Sequence, residues 1–147
     1  MKIALVCSPG GHLTQMFLLI EAFKGHDIFF ITHTHPRTNQ LGYRKYFIVN
    51  FGTDKLKMLN AFFQTFKILI KEKPDIIVST GSEIAIPVII LARFMRIKTI
   101  YIESWSRIKT KSGTGRILYI FSNHFLVQWP DLVKKYGKKA RYEGAVI

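Results

Sequence analysis

The stretch Ile3-Ala4-Leu5-Val6-Cys7-Ser8-Pro9-Gly10-Gly11-His12-Leu13-Thr14-Gln15 decides how this chain is read. Ile3 to Val6 is β-rich and apolar on both faces, as a central parallel strand is. The run breaks at Ser8-Pro9-Gly10-Gly11, and a helical pattern starts beyond His12. Strand, tight turn and helix N-terminus follow in that order. Gly10 and Gly11 permit backbone angles that a Cβ forbids, and they let a ligand approach the main chain closely. The first turn of the helix offers free N–H groups and a partial positive charge, which suit a phosphate or diphosphate. His12 stands at the junction, within reach of what binds there. Taken alone, the same residues equally describe a sharp strand-to-helix turn with a packing histidine. The spacing is not G-x-G-x-x-G, and no Lys-Ser or Lys-Thr pair follows the glycines. Neither dinucleotide nor Walker fingerprint is therefore present.

The 147 residues suffice for one domain, or for half of a larger enzyme, and 48% of them are hydrophobic. The one cysteine, Cys7, falls in the first strand and reads as a small buried residue. It excludes a disulfide framework within one copy and fits a reducing compartment. The net charge is +13 and unevenly spread. Residues 1–36 sum to zero, whereas residues 93–147 set twelve Lys and Arg against Glu103, Asp131 and Glu143. That asymmetry points to an anionic partner or to a solvated basic surface. No nucleic-acid module is recognisable and the aromatics fall within apolar elements, so no specific nucleic-acid partner is expected. The longest apolar run, Ile84 to Ala92, is too short to span a bilayer. No signal peptide is read at the start. The expectation is a chain that is soluble or rests on a membrane face.

Leu13 to Phe23 reads as a helix, Asp27 to Thr32 as a second strand and His33 to Gly42 as a long polar loop. His33 and His35 lack a nearby third ligand, so no metal site is expected. Tyr46 to Phe51 is a third strand, and Asp54 to Glu72 a long helix capped near Thr53 or Asp54. On that helix Leu56, Met58, Leu59, Phe62, Phe63, Phe66, Leu69 and Ile70 form an apolar arc of roughly 140°. Lys57, Gln64, Lys67 and Lys71 take the other face. Such a helix either lies on an anionic bilayer or packs between the sheet and a neighbouring helix. Strands follow at Asp75–Ser79, Lys98–Ile102, His124–Trp129 and Lys138–Tyr142, with helices at Ile84–Met95, Arg116–Phe121 and Pro130–Tyr136. The alternation predicts an α/β fold, a Rossmann-like parallel sheet covered by helices on both faces, in one domain over residues 1–147. Ligands of such sheets bind beyond the carboxyl ends of the strands. Three polar turns fall there: Ser8 to His12, Ser79 to Glu83 and Glu103 to Arg107.

These turns carry a resemblance. Ser8-Pro9-Gly10-Gly11-His12, Ser79-Thr80-Gly81-Ser82-Glu83 and Tyr101-Ile102-Glu103-Ser104 are its first pieces. Arg107, Ser112-Gly113-Thr114-Gly115-Arg116 and Val127-Gln128-Trp129-Pro130 continue it. The chain resembles the PssD/CpsF/EpsE group of bacterial polysaccharide-biosynthesis proteins. These are similar to the acceptor-side subunit of the two-part UDP-N-acetylglucosamine transferase of asparagine-linked glycosylation. The resemblance covers nearly the whole chain, and its most specific part runs from Glu103 to Pro130.

It implies the N-terminal half of a GT-B glycosyltransferase. The donor-binding half would be a separate small PssE-like polypeptide, with the UDP-sugar shared at the interface. The acceptor would be a polyprenyl-diphosphate-linked sugar. The chain would sit in the cytoplasm, peripheral on the inner face of the plasma membrane. It is expected to lack the N-terminal anchor of eukaryotic members, leaving membrane contact to surface residues. Lys57, Lys67, Lys71, Lys109, Lys111 and Arg116 are the candidates for that contact. No cofactor is implied.

His12 is the candidate base for removing the acceptor hydroxyl proton, and Glu103 the second candidate. Glu103 reads equally as a buried carboxylate pairing Arg107. Gly10, Gly11, Thr80, Gly81, Ser82, Glu83, Ser104 and Arg107 are the candidate substrate-binding residues. The rival reading is a non-catalytic activator or docking platform for a partner that holds the whole catalytic site.

Overall fold

The computed structural model describes residues 1–146. Seven strands form one sheet: β1 (Lys2–Val6), β2 (Asp27–Thr32), β3 (Lys45–Phe47), β4 (Ile76–Ser79), β5 (Lys98–Ile102), β6 (His124–Leu126) and β7 (Ala140–Arg141). Their order is β3-β2-β1-β4-β5-β6-β7, and every neighbouring pair is parallel. The order reverses between β1 and β4. A crevice opens at such a switch point, because the connections leave it in opposite directions.

The helices are α1 (Gly11–Leu18), α2 (Pro36–Asn39), α3 (Lys55–Glu72), α4 (Ala85–Phe94), α5 (Gly113–Phe121) and α6 (Pro130–Tyr136). Strand periodicity of two splits the core into two layers. Ile3 and Leu5 of β1, with Cys7 just beyond its end, pack with Leu13 and Met16 of α1. Ala4 and Val6 face the other way, into a larger layer built with α3, α4, α5 and α6. Cys7 is fully buried and its thiol is pushed up to about 12 by burial, as expected of an inert packing residue.

Several boundaries differ from the expectation. The first helix starts at Gly11 and stops at Leu18, and a separate 3-10 turn covers Ile20–Phe23. The polar loop after β2 contains α2, whose first residue is Pro36 and whose cap is His35. The third and sixth strands are only three residues each. The last helix before β6 begins at Gly113, because the Ser112 hydroxyl accepts the Gly115 N–H at 2.7 Å and nucleates it.

Helix α3 is capped by Asp54, whose carboxylate accepts the N–H groups of Leu56 and Lys57 at 3.0 and 3.2 Å. Its apolar arc splits. The side facing the sheet consists of Ala61, Thr65, Ile68, Leu69 and Glu72. Met58 packs against the core, whereas Leu56, Leu59, Phe63, Phe66 and Ile70 face outward, with Leu56 80% and Leu59 68% exposed. The helix is therefore packed on one side and apolar on the other. Gln64 is not on a free polar face: its side-chain oxygen accepts the Val49 N–H at 2.8 Å. Lys67 lies beside the stripe, its Nζ 4.5 Å from the centre of the Phe63 ring. Among the described residues no helix is long and apolar enough to cross a membrane.

Candidate functional site

The switch point is closed by one side chain. His12 Nδ1 lies 2.7 Å from the carbonyl oxygen of Thr80, and the Thr80 hydroxyl donates back to the His12 carbonyl at 2.8 Å. The turns after β1 and β4 are thus pinned together. A carbonyl only accepts, so Nδ1 carries the proton of the neutral ring and Nε2 keeps its lone pair. Gly81 makes the contact sterically permissible. Its φ is +109°, and a Cβ there would stand 3.0 and 3.1 Å from the imidazole.

Around His12 opens a cleft of about 270 Å³, reached by Ser82, Glu83, Glu103, Ser104 and Arg107. Candidates from each of the three polar turns therefore meet there, whereas Gly10, Gly11, Thr80 and Gly81 do not line it. Ser82 holds a positive φ of 76°, uncommon for a residue with a Cβ, and its hydroxyl donates to Glu83 at 2.8 Å. No side chain caps the N-terminus of α1. The Gly10-Gly11 turn differs from its expected strain: Gly10 has an extended φ of 169°, and a Cβ on either glycine would meet nothing within 4 Å. The glycines leave open space beside the helix N-terminus instead of relieving an internal clash.

Glu103 is completely buried, and its expected pairing with Arg107 is not formed among the described residues. Its oxygens accept from the Ser112 hydroxyl at 2.8 and 2.9 Å, the Ser104 N–H at 2.9 Å and the Ser112 N–H at 3.2 Å. The Tyr136 hydroxyl donates to it as well. Burial, then the bond to Glu103 and its charge, raise the Tyr136 phenol, which keeps it a donor. The lone pairs of Glu103 are thus engaged, and no proton acceptor faces the cleft from it. Gly115 has to be glycine here, because a Cβ would fall 2.2 Å from both a Glu103 oxygen and the Tyr136 hydroxyl.

Sequence reading missed a second tie. Gln128 donates to the Gln15 side chain at 2.7 Å and to the Glu103 carbonyl at 2.9 Å, joining α1 to the ends of β5 and β6. Nothing in the spacing of Gln15 and Gln128 announces that pair, since they are 113 residues apart. Of the basic candidates, Arg107 lines the cleft and is exposed, and Lys109 and, on α5, Arg116 are exposed. Lys111 is half-buried, with its Nζ 5.2 Å from the centre of the Tyr136 ring. Among the described residues no group of three His, Cys, Asp or Glu could hold a metal ion.

The fold is shared with part of a larger solved protein. MurG of Acinetobacter baumannii superposes with a TM-score of 0.82 at 16% identity, over 99% of this chain and 45% of MurG. The class is therefore the Rossmann-like half of a GT-B architecture. A family model described as "Oligosaccharide biosynthesis protein Alg14 like" matches residues 49–146. The chain belongs to the Alg14-like family. The human UDP-N-acetylglucosamine transferase subunit ALG14 is 23% identical over all of this chain and 83% of its own length. The Schizosaccharomyces pombe subunit is 42% identical over 50% of this chain and 37% of its own length. The chain thus spans about a third of the yeast relative and somewhat under half of MurG.

Proposed function

We propose that this chain is the acceptor-side subunit of a two-chain UDP-sugar glycosyltransferase of the PssD/CpsF/EpsE kind. It extends a polyprenyl-diphosphate-linked sugar in exopolysaccharide or capsule synthesis, at the inner face of the plasma membrane. The observation that carries the reading is the free Nε2 of His12 in a cleft at the switch point of a GT-B half. Membership of the Alg14-like family supports it, since the relatives are named as subunits of a UDP-N-acetylglucosamine transferase.

His12 Nε2 takes the proton of an acceptor sugar hydroxyl. The hydroxyl oxygen then bonds to the anomeric carbon of the UDP-sugar as the bond from that carbon to the diphosphate breaks. UDP leaves with the electron pair, and the proton stays on the imidazole. The uncapped N-terminus of α1 and the exposed Arg107 supply positive potential to a diphosphate. Gly10 and Gly11 let it approach the backbone. Glu103 holds the loop that carries Ser104 and Ser112, and so shapes the cleft without exchanging a proton.

The outward stripe of α3 gives the membrane half of the reading. Leu59, Phe63, Phe66 and Ile70 would enter the interface of an anionic bilayer, with Lys57, Lys67 and Lys71 at the headgroups. The donor site belongs to the partner, a small PssE-like chain. Co-expression with that partner, followed by a transfer assay on a panel of UDP-sugars, tests the reading. Activity that requires both chains is the expected outcome. A partner that transfers sugar equally well without this chain would leave it as a docking platform.

A further inference from the structure

A second cavity of about 400 Å³ opens at the same sheet edge, beyond Ser82 and Glu83, which line both spaces. Its other walls are the turn after β2, with His33, Thr34 and His35, and the chain after β3, from Ile48 to Asn50. The volume is within the ~300–1,000 Å³ of small-molecule sites.

His33 is the unusual residue in it. It is only 4% exposed, and Nδ1 lies 3.0 Å from the Ile48 carbonyl oxygen. Nδ1 therefore carries the proton of the neutral ring. Nε2 is left as an acceptor, and among the described residues it has no hydrogen-bond partner. Leaving a buried polar atom unpaired costs ~1–3 kcal/mol, and because Nε2 is almost wholly shielded, a donor in the cavity reaches it through a small turn of the His33 ring. The wall is fixed in place: the Thr38 hydroxyl donates to the His33 carbonyl at 2.7 Å, and the Ile48 N–H to the Thr32 carbonyl at 3.0 Å.

The polar complement selects the ligand class. No Lys or Arg lines the cavity, and Glu83 contributes a carboxylate. A phosphate, which brings only acceptors and negative charge, would face the His33 lone pair and that carboxylate. A sugar ring brings hydroxyls that donate to both. His35 accepts the Arg37 N–H through Nδ1 at 3.2 Å, which leaves its Nε2–H to donate to a ring oxygen or hydroxyl. Pro9, Ile48 and Val49 supply apolar wall for the ring's C–H face.

We infer that this cavity is a second sugar subsite, contiguous with the His12 cleft, in which His33 Nε2 accepts a hydroxyl of a neutral glycosyl ring of the acceptor. The inference rests on the glycosyl-transfer reading for the word acceptor, but not for saccharide binding itself. His33 is a specificity and positioning residue, and it takes no proton in the reaction.

The test follows the His33 imidazole nitrogens by NMR of the ¹⁵N-labelled full chain. The probes are methyl β-glucoside, methyl β-N-acetylglucosaminide and inorganic pyrophosphate. At least one glycoside is expected to shift the Nε2 resonance, with pyrophosphate leaving it in place. Asn50→Trp fills the cavity from an exposed position, and should abolish that shift. With the partner present it should raise the acceptor KM about tenfold, with donor KM and kcat within about twofold. His33→Asn keeps a donor for the Ile48 carbonyl while deleting Nε2, and should act in the same direction. An Nε2 resonance unmoved by both glycosides, or moved as strongly by pyrophosphate, overturns the inference, as does an unchanged acceptor KM in Asn50→Trp. Glycosides that shift His33 in a pair that transfers no sugar would uphold the subsite and defeat the glycosyl-transfer reading.

Discussion

His12 and Thr80 are joined twice, ring to carbonyl at 2.7 Å and hydroxyl to carbonyl at 2.8 Å, across the point where the strand order reverses. The pairing fixes the imidazole tautomer and leaves Nε2 unprotonated on a residue that lines the cleft. Replacing His12 by Gln should lower kcat of the reconstituted pair by ~10²–10⁴-fold, the usual worth of a positioned base. The donor KM should change little. Single-turnover transfer with a radiolabelled UDP-sugar measures both.

Gly81 separates position from chemistry. In Gly81→Ala the new methyl meets the His12 ring at 3.0 Å, in a backbone conformation with φ of +109° that disfavours any side chain. The expected result is a loss of about 1 kcal/mol or more in stability from the backbone alone. A fall in kcat at temperatures where the chain stays folded should accompany it. Thermal unfolding and transfer assayed on one preparation distinguish the two effects.

Gly115→Ala addresses the buried carboxylate. Its Cβ would overlap Glu103 and the Tyr136 hydroxyl at 2.2 Å, and overpacking of this kind costs ~1–3 kcal/mol. Ser112→Ala removes the hydroxyl that touches both Glu103 oxygens and also loses the cap of α5. Each variant should lower the denaturation midpoint, and each should leave the pH dependence of transfer unchanged if Glu103 exchanges no proton.

How much of this was legible beforehand varies with the kind of signal. The parallel sheet followed from apolar runs such as Ile28-Phe29-Phe30-Ile31, which periodicity marks as buried on both faces. His12, Ser82, Glu83, Glu103, Ser104 and Arg107 were found because polar residues at strand ends stand out against such runs, and they share one cleft. The partner of Glu103 was not legible. Arg107 is near in sequence, yet the fold brings Ser112 and Tyr136 to it. Which face of α3 meets the sheet was not legible for a related reason. Bulky residues dominate a helical wheel, but the sheet accepted the smaller Ala61 and Thr65 face. His33 reads in the sequence as loop polarity rather than a metal ligand, since an unpaired acceptor beneath a loop leaves no trace in spacing.

The stripe of α3 predicts membrane behaviour. Leu59→Asp with Phe63→Asp alters side chains that are 68% and 58% exposed, so the fold should persist. Binding to vesicles with anionic headgroups should drop at least about tenfold, since burial of either side chain is worth ~1.5–3 kcal/mol. Lys67→Glu with Lys71→Glu should weaken binding to anionic vesicles and leave neutral vesicles unaffected. Cosedimentation at two salt concentrations reports both.

At the opposite edge of the sheet, Glu72 accepts from Tyr46, from Lys2 at 3.2 Å and from Arg44 at 3.0 Å. Burial pushes its carboxyl up, but the Tyr46 and Lys2 hydrogen bonds and the Arg44 charge outweigh it, and the net shift is downward. A depressed folded value stabilises the chain above the ordinary carboxylate value of 4.5 and loses that contribution as pH falls through the folded value. Glu72→Gln should therefore be less stable than wild type near neutrality, and the gap should close towards acid. Urea midpoints between neutral and acid pH check the sign.

The central claim is that this chain contributes a reacting group to a shared site. It is tested most directly by single-turnover sugar transfer with the co-purified pair, comparing wild type with His12→Gln at equal partner binding. The account predicts that only the wild-type pair transfers at full rate, that neither chain acts alone, and that His12→Gln binds the partner normally but turns over at least about a hundredfold more slowly. Equal rates for the two pairs, or full activity from the partner by itself, would contradict it.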